Sequence, residues 1–391
     1  MYLHAWTTVK HYLQKCHDYG IGVLIDFHGV PGGANTEGHS GTDSGRADFW
    51  ENSHYRALAR DCIAFVAQEA KYHSISNIVG IELCNEACWD PPGQFEWYDE
   101  VIDVISSIDS SMPIYISDAW NLSAALDYAM GKNTTAVSFG RCPVIVDTHK
   151  YYCFTESDRA MDPDAVRGRV ADELGELAPR QGNVFDHKSA VEVYIGEYSN
   201  ALDGHTWDHV DHSERPRLTA AFGHEQTKTW SSKASGSAFW TFKMDWMDGG
   251  DWGFKEQVDS GALLAPGWLA LSRDDVCAKL EQAEAQRWGR YGEAFAQHAE
   301  FWDSTAPGVH FEHDRYARGW NLGYSDAMSF FAATVSGMIP GRRDGGEKIG
   351  ALNLWVRKRI VETDEFSQDL GWEWEHGFRK GVNDFYHVAG I

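Results

Sequence analysis

Two glutamates stand at the ends of short apolar runs in this chain of 391 residues: Glu86 closes the run Ile78 to Asn85, and Glu197 follows Val191 to Gly196. Carboxylates on two separate strand ends match what glycoside cleavage requires. One group must protonate the leaving oxygen, and the other must attack the anomeric carbon or activate water. Other apolar runs also end in polar side chains: Asp26-Phe-His28, Asp147-Thr-His149-Lys-Tyr151 and Phe239-Trp240-Thr-Phe-Lys243. A lone histidine in such a place is more often a hydrogen-bonded packing residue. Five polar strand ends together point to a site, because a parallel (β/α) barrel gathers the carboxyl ends of its strands on one face. Two like carboxylates take different roles when their neighbours differ: a nearby carboxylate raises the acid, while hydrogen bonds stabilise the ionised nucleophile.

The elements that would position these groups follow a regular alternation from about residue 21 to 241. Six short apolar runs are expected to be strands: Gly22 to His28, Ile78 to Asn85, Ile114 to Ser117, Val144 to His149, Val191 to Gly196 and Ser237 to Thr241. Between them, Tyr55 to Tyr72, Phe95 to Asp109, Asp162 to Leu177 and Glu214 to Ser231 carry apolar residues at three- and four-residue spacing, the mark of amphipathic helices. Alternation of this kind predicts βα units and a parallel sheet. A polar loop over 29–49 follows the first strand. After Trp252 the pattern changes: Pro266 to Trp302 reads as one or two helices, and the stretches beginning Phe311-Glu-His and Trp374-Glu-His are weakly similar. The expected organisation is a catalytic barrel over 1–300 and an extension over 301–391.

Composition narrows the function classes. Lys and Arg number 34 against 58 Asp and Glu, a net charge of -24, and such a surface repels nucleic acid and anionic lipid head groups. No window approaches the roughly 18 apolar residues of a membrane span. Aromatics make up 13% of the chain, with 17 Trp; flat rings stack on sugar faces, although core packing accounts for most single tryptophans. Seven cysteines show no paired zinc-ligand spacing and read as reduced thiols. His224-Glu-Gln-Thr-Lys is not an HExxH motif and no His/carboxylate triad appears at ligand spacing, so no metal or cofactor is expected. The first ten residues lack the basic start and apolar run of a secretory signal, so a cytoplasmic location is expected.

The motifs resemble those of glycoside hydrolase family 5, and more narrowly the fungal exo-β-1,3-glucanases. Ile81-Glu-Leu-Cys-Asn-Glu86 is similar to that family's strand-four acid/base motif, and Ile195-Gly-Glu-Tyr-Ser199 to its strand-seven nucleophile motif. His28-Gly-Val-Pro-Gly-Gly-Ala-Asn35 resembles the strand-three histidine loop, His149-Lys-Tyr151 the strand-six pair, and Phe239-Trp-Thr-Phe-Lys243 the strand-eight tryptophan. The resemblance implies a (β/α)8 barrel that enters at the helix after strand two, so that strands one and two and the strand-two arginine are lacking. It implies a retaining β-glucosidic hydrolase acting on β-glucan or a β-glucoside by double displacement, with Glu86 as acid/base and Glu197 as nucleophile. Asn85 would bind the sugar 2-hydroxyl, Tyr151 would hydrogen-bond Glu197, His149 would adjoin Glu86, His28 would bind the glycone, and Trp240 would floor the −1 subsite. Two alternatives stay open: a steryl or ceramide β-glucosidase, and a glucan-binding protein that has lost turnover.

Overall fold

Runs rich in Val, Ile and Tyr pack well on a pleated surface, and the six expected strands form at the expected places in the computed structural model. It describes residues 4–133, 140–180, 182, 184–185, 191–244, 249–365 and 370–391. The strands are β1 (Val23–Asp26), β2 (Ile78–Glu82), β3 (Ile114–Ser117), β4 (Val144–Tyr152), β5 (Val193–Leu202) and β6 (Gly236–Phe239). All neighbours run parallel, in the order β1-β2-β3-β4-β5-β6. Register is set by pairs such as Asp26 with Glu82, Ser117 with Asp147 and His149 with Glu197, so the polar strand ends meet on one side. The sheet curls as an open part of a barrel. Its middle strands are buried, whereas β1 and β6, the two edges, are half-exposed.

Among the described residues thirteen α-helices accompany the sheet: α1 (Ala5–Asp18), α2 (Ser53–Tyr72), α3 (Gln94–Asp109), α4 (Leu122–Asn133), the short α5 (Glu156–Arg159), α6 (Pro163–Asp172), the short α7 (Gly204–Trp207), α8 (Arg215–Lys233), the short α9 (Phe254–Asp259), α10 (Arg273–Thr305), α11 (His313–Phe331), α12 (Leu352–Thr363) and α13 (Gly371–Ala389). Side-chain caps fix several starts. Asn52 accepts from the N–H of His54 and Tyr55 ahead of α2, and Ser272 accepts from Asp275 ahead of α10, each supplying a partner for amides that a helix leaves free. The helix expected over Asp162 to Leu177 stops at Asp172 and passes into a 3-10 turn holding Pro179. The stretch read as one or two helices is the single 33-residue α10, and it runs across residue 300.

Two hydrophobic clusters result. The first lies between the sheet and its helices, around Ile81, Ile114, Val146 and Ile195 with Trp97, Tyr98 and Phe222. The second joins α10, α11, α12 and α13 through residues such as Val276, Trp320, Val356 and Phe385. The two weakly similar stretches lead into α11 and α13, which lie against each other with small residues at the seam. A Cβ on Gly319 or Gly323 would meet the α13 backbone, and one on Gly377 or Gly381 would meet that of α11. Bare glycines therefore permit the close approach of the two backbones.

Candidate active site

Glu86 lies just beyond β2 with φ of 43°, a left-handed conformation that an L-residue adopts at a cost of about 1–3 kcal/mol unless its surroundings fix it. They do fix it. Asn35 Nδ2 donates to the Glu86 carbonyl at 2.8 Å, and the following amides of Ala87 and Cys88 donate to Ser117 Oγ and the Ala34 carbonyl at 3.2 and 3.0 Å. The carboxylate is held by two imidazoles: His149 Nδ1 is 2.8 Å from Oε1 and His39 Nε2 is 3.1 Å from Oε2. Glu197 projects from β5, where the Tyr151 hydroxyl donates to Oε2 at 2.6 Å. His149 Nδ1 is 3.7 Å from that same oxygen. One oxygen of each glutamate and a nitrogen of His149 all lie within 4.8 Å of one another.

His149 is oriented from behind. Its Nε2 is 3.0 Å from Asp147 Oδ2, and both side chains are buried. Asp147 can point there because residue 196, immediately before Glu197, is a glycine: a Cβ at that position would collide with the Asp147 carboxylate. The sequence Gly196-Glu197 is thus one unit, in which the missing side chain makes room for the group that steadies the histidine between the two glutamates.

The remaining expected residues surround this pair. Asn85 is buried, its Nδ2 has no partner, and it lines with Glu197 and His149 a cavity of about 350 Å³ that opens between β1 and β6. His28 Nδ1 is 2.7 Å from Asp26 Oδ2, and its ring is 5.6 Å from that of His39. Trp240 is 38% exposed; it packs edge-on against Trp252 at 5.5 Å, and Trp252 in turn lies 5.8 Å from Tyr151. Sequence reasoning gave no role to His39, Asp147, Asn35 or Trp252. His39 and Asn35 sit in the long loop over 29–49, whose polar composition hides which side chains turn inward. Asp147 was visible only as one more polar residue at a strand end.

Electrostatics depart from the expected division between an acid with raised pKa and an ionised nucleophile. For Glu86, burial pushes the carboxyl up, but the hydrogen bond and charge of His149, helped by His39, outweigh it and hold Glu86 below the ordinary value. For Glu197, burial raises the carboxyl, aided by the negative charge of Glu86 and opposed by His149, Tyr151 and His28; the net direction is up. His149 loses by burial, yet Asp147, Glu86 and Glu197 raise it well above an ordinary histidine. Tyr151 is also raised, by burial and by Glu197, and so remains a hydrogen-bond donor. The raised His149 imidazole thus stands one hydrogen bond from the lowered Glu86 carboxyl. Beneath it, buried Glu82 is pushed far up by burial and by the charges of Asp147 and Asp26.

No His/carboxylate triad stands at ligand spacing along the sequence, but folding brings such groups together in space. Among the described residues two such triads form, Glu86–His149–Glu197 and His298–His313–Glu373, from residues far apart in sequence. In the first, both ring nitrogens of His149 face carboxylates, an arrangement suited to sharing a proton.

Residues 283–389 match the domain family described as glucan 1,3-beta-glucosidase 3 C-terminal domain. An uncharacterized glycosyl hydrolase of Saccharomyces cerevisiae is 28% identical over 386 residues, covering 97% of this chain and 68% of the relative. Glucan 1,3-beta-glucosidase 3 of Schizosaccharomyces pombe is also 28% identical, over 96% of this chain and 74% of its own length. In fold, the chain is similar to rutinosidase from Aspergillus niger, with a TM-score of 0.52, 16% identity, and coverage of 66% of this chain and 72% of the other. No described helix is long and apolar enough to cross a membrane. Similarity to these relatives runs along almost the whole sequence and the sheet is of the parallel barrel type, so the chain resembles the fungal exo-β-1,3-glucanases of glycoside hydrolase family 5.

Proposed function

We propose that the chain removes glucose from β-1,3-linked glucan or a related β-glucoside by double displacement, with Glu197 as nucleophile and Glu86 as acid/base. The observation that carries this reading is the approach of the two carboxylates, whose nearer oxygens lie within 4.8 Å. Retaining enzymes keep their carboxyl groups about 5–5.5 Å apart, whereas inverting enzymes need about 6.5–9.5 Å to admit a water.

The steps follow from the groups present. Glu197 attacks the anomeric carbon as the bond to the leaving oxygen breaks, and Glu86 gives that oxygen a proton. The proton comes from the Glu86–His149 pair: moving it from Nδ1 to Oε1, a separation of 2.8 Å, leaves His149 neutral with Nε2–H toward Asp147. A sugar ring over Glu86 excludes water and disfavours its ionised form, which favours this transfer. Water, deprotonated by Glu86, then releases the glucosyl group from Glu197. Tyr151 supports the nucleophile by donating to it, and Asn85, with an unpartnered buried amide nitrogen, is positioned for a sugar hydroxyl. His28 and Trp240 supply the glycone wall.

Laminaritriose and p-nitrophenyl β-glucoside test the reading. Release of glucose from the non-reducing end supports it; internal cleavage of longer laminarin, or no turnover of either substrate by the folded chain, would replace it.

A further inference from the structure

The helical unit brings two imidazoles and a carboxylate together from three helices. His298 of α10 places Nε2 3.2 Å from Glu373 Oε2 of α13, and His313, the first residue of α11, places Nδ1 3.3 Å from the same oxygen. The side chains of His298 and Glu373 are 2% and 0% exposed. Among the described residues the ion-pair partners of Glu373 are these two imidazoles, and a buried carboxylate is costly unless something compensates its charge.

Hydrogen bonding alone leaves the cluster unsatisfied. His313 Nδ1 is buried and without a hydrogen-bond partner although it lies only 3.3 Å from Glu373 Oε2, an oxygen that His298 Nε2 also approaches at 3.2 Å. A cation accounts for that spacing. Zinc takes imidazole nitrogen and carboxylate oxygen at about 2.0–2.2 Å, so tetrahedral neighbours stand roughly 3.3–3.5 Å apart. The shell behind the cluster also has the form metal sites use. His313 Nε2 is 3.2 Å from Asp303 Oδ1, and the second oxygen of Glu373 accepts the Glu312 N–H at 2.8 Å. Tyr316 stacks on His298 at 3.9 Å and Phe311 on His313 at 5.7 Å, which fixes both rings in apolar surroundings. His376 lies three residues beyond Glu373 on the same helix face, with its ring 5.6 Å from that of His298.

We propose that His298, His313 and Glu373 bind one divalent transition-metal ion, zinc by this donor set, and that the ion fastens α10, α11 and α13 to one another. Imidazole with carboxylate and no thiolate selects zinc and its neighbours over calcium or magnesium, which take oxygen donors. The site is independent of the hydrolase reading and lies in a separate hydrophobic cluster.

The full chain, stripped with a chelator and dialysed, should bind one equivalent of zinc with a micromolar or tighter Kd, and its Tm should rise by several degrees in excess zinc. Cobalt(II) in place of zinc should give the intense visible bands of a four-coordinate ion. His313→Ala and Glu373→Gln should weaken binding by about 100-fold or more, and Asp303→Asn by about 10-fold. The cobalt spectrum of the wild-type chain decides the matter even if a variant fails to fold. Absence of saturable zinc binding and of cobalt bands would overturn the proposal, as would stoichiometric binding that persists undiminished in folded His313→Ala.

Discussion

The two His/carboxylate triads share a spacing and differ in composition. Glu86–His149–Glu197 has two carboxylates and one imidazole at the mouth of a half-open sheet, while His298–His313–Glu373 has two imidazoles and one carboxylate beside aromatic rings, with His298 and Glu373 buried and His313 half-buried. The difference decides the chemistry. Two acids around one base hold a proton that can be moved, and space beside them admits a substrate. Two bases around one acid hold no spare proton but converge three lone pairs, which is what a cation needs.

The largest effect expected from this contrast is at the nucleophile. Glu197→Ala should lower kcat by about 10⁴-fold or more, and azide should restore turnover with an α-glucosyl azide as product, identified by NMR. Persistence of wild-type kcat would remove Glu197 from the reaction. Next comes the acid: Glu86→Ala should cost about 10²–10⁴-fold on unactivated glucosides and far less on 2,4-dinitrophenyl β-glucoside, measured as the ratio of the two rates. An equal loss on both substrates would assign Glu86 to binding alone.

A smaller, pH-dependent effect sharpens the proton account. Glu197 is raised above the ordinary glutamate value of 4.5 and must be ionised to attack, so the acid limb of kcat/KM should lie above 4.5. The Glu86–His149 pair releases its proton only above the ordinary histidine range, which sets the basic limb. His149→Gln should therefore move the basic limb to lower pH and reduce kcat by about 10²-fold. An unmoved basic limb would mean that His149 does not store the proton.

How much of this was legible in the sequence depends on the distance over which each signal acts. All six strands, α2, α3 and α8 were visible because apolar periodicity is local, and the two glutamates because each ends such a run. Asp147 and Gly196 act as a pair across β4 and β5, and neither residue type announces it. The order of the carboxyl pKa values was misread because it depends on which glutamate His149 touches, a matter of rotamers. His298, His313 and Glu373 were out of reach for a similar reason: no metal motif spans 76 residues, and only the close packing of α11 on α13 brings them together.

An effect on stability rather than on rate is expected at the seam between the two regions. Glu192, just before β5, accepts the Asn353 N–H at 2.7 Å beside α12, and burial pushes its carboxyl up to about 7. Because the folded value lies above the unfolded one, the favourable contribution is complete below about 4.5 and is lost as pH rises through about 7. Glu192→Gln keeps an acceptor and removes the charge, so at pH 8 it should gain up to about 3 kcal/mol over wild type, and little at pH 4.5. Denaturant midpoints at the two pH values measure this, and equal shifts at both would contradict it.

The central claim, that Glu86 and Glu197 act as a retaining pair, is tested most directly by following hydrolysis of p-nitrophenyl β-glucoside by proton NMR before mutarotation sets in. The account predicts that the anomeric signal of β-glucose appears first and that of α-glucose only later. First appearance of α-glucose would contradict it.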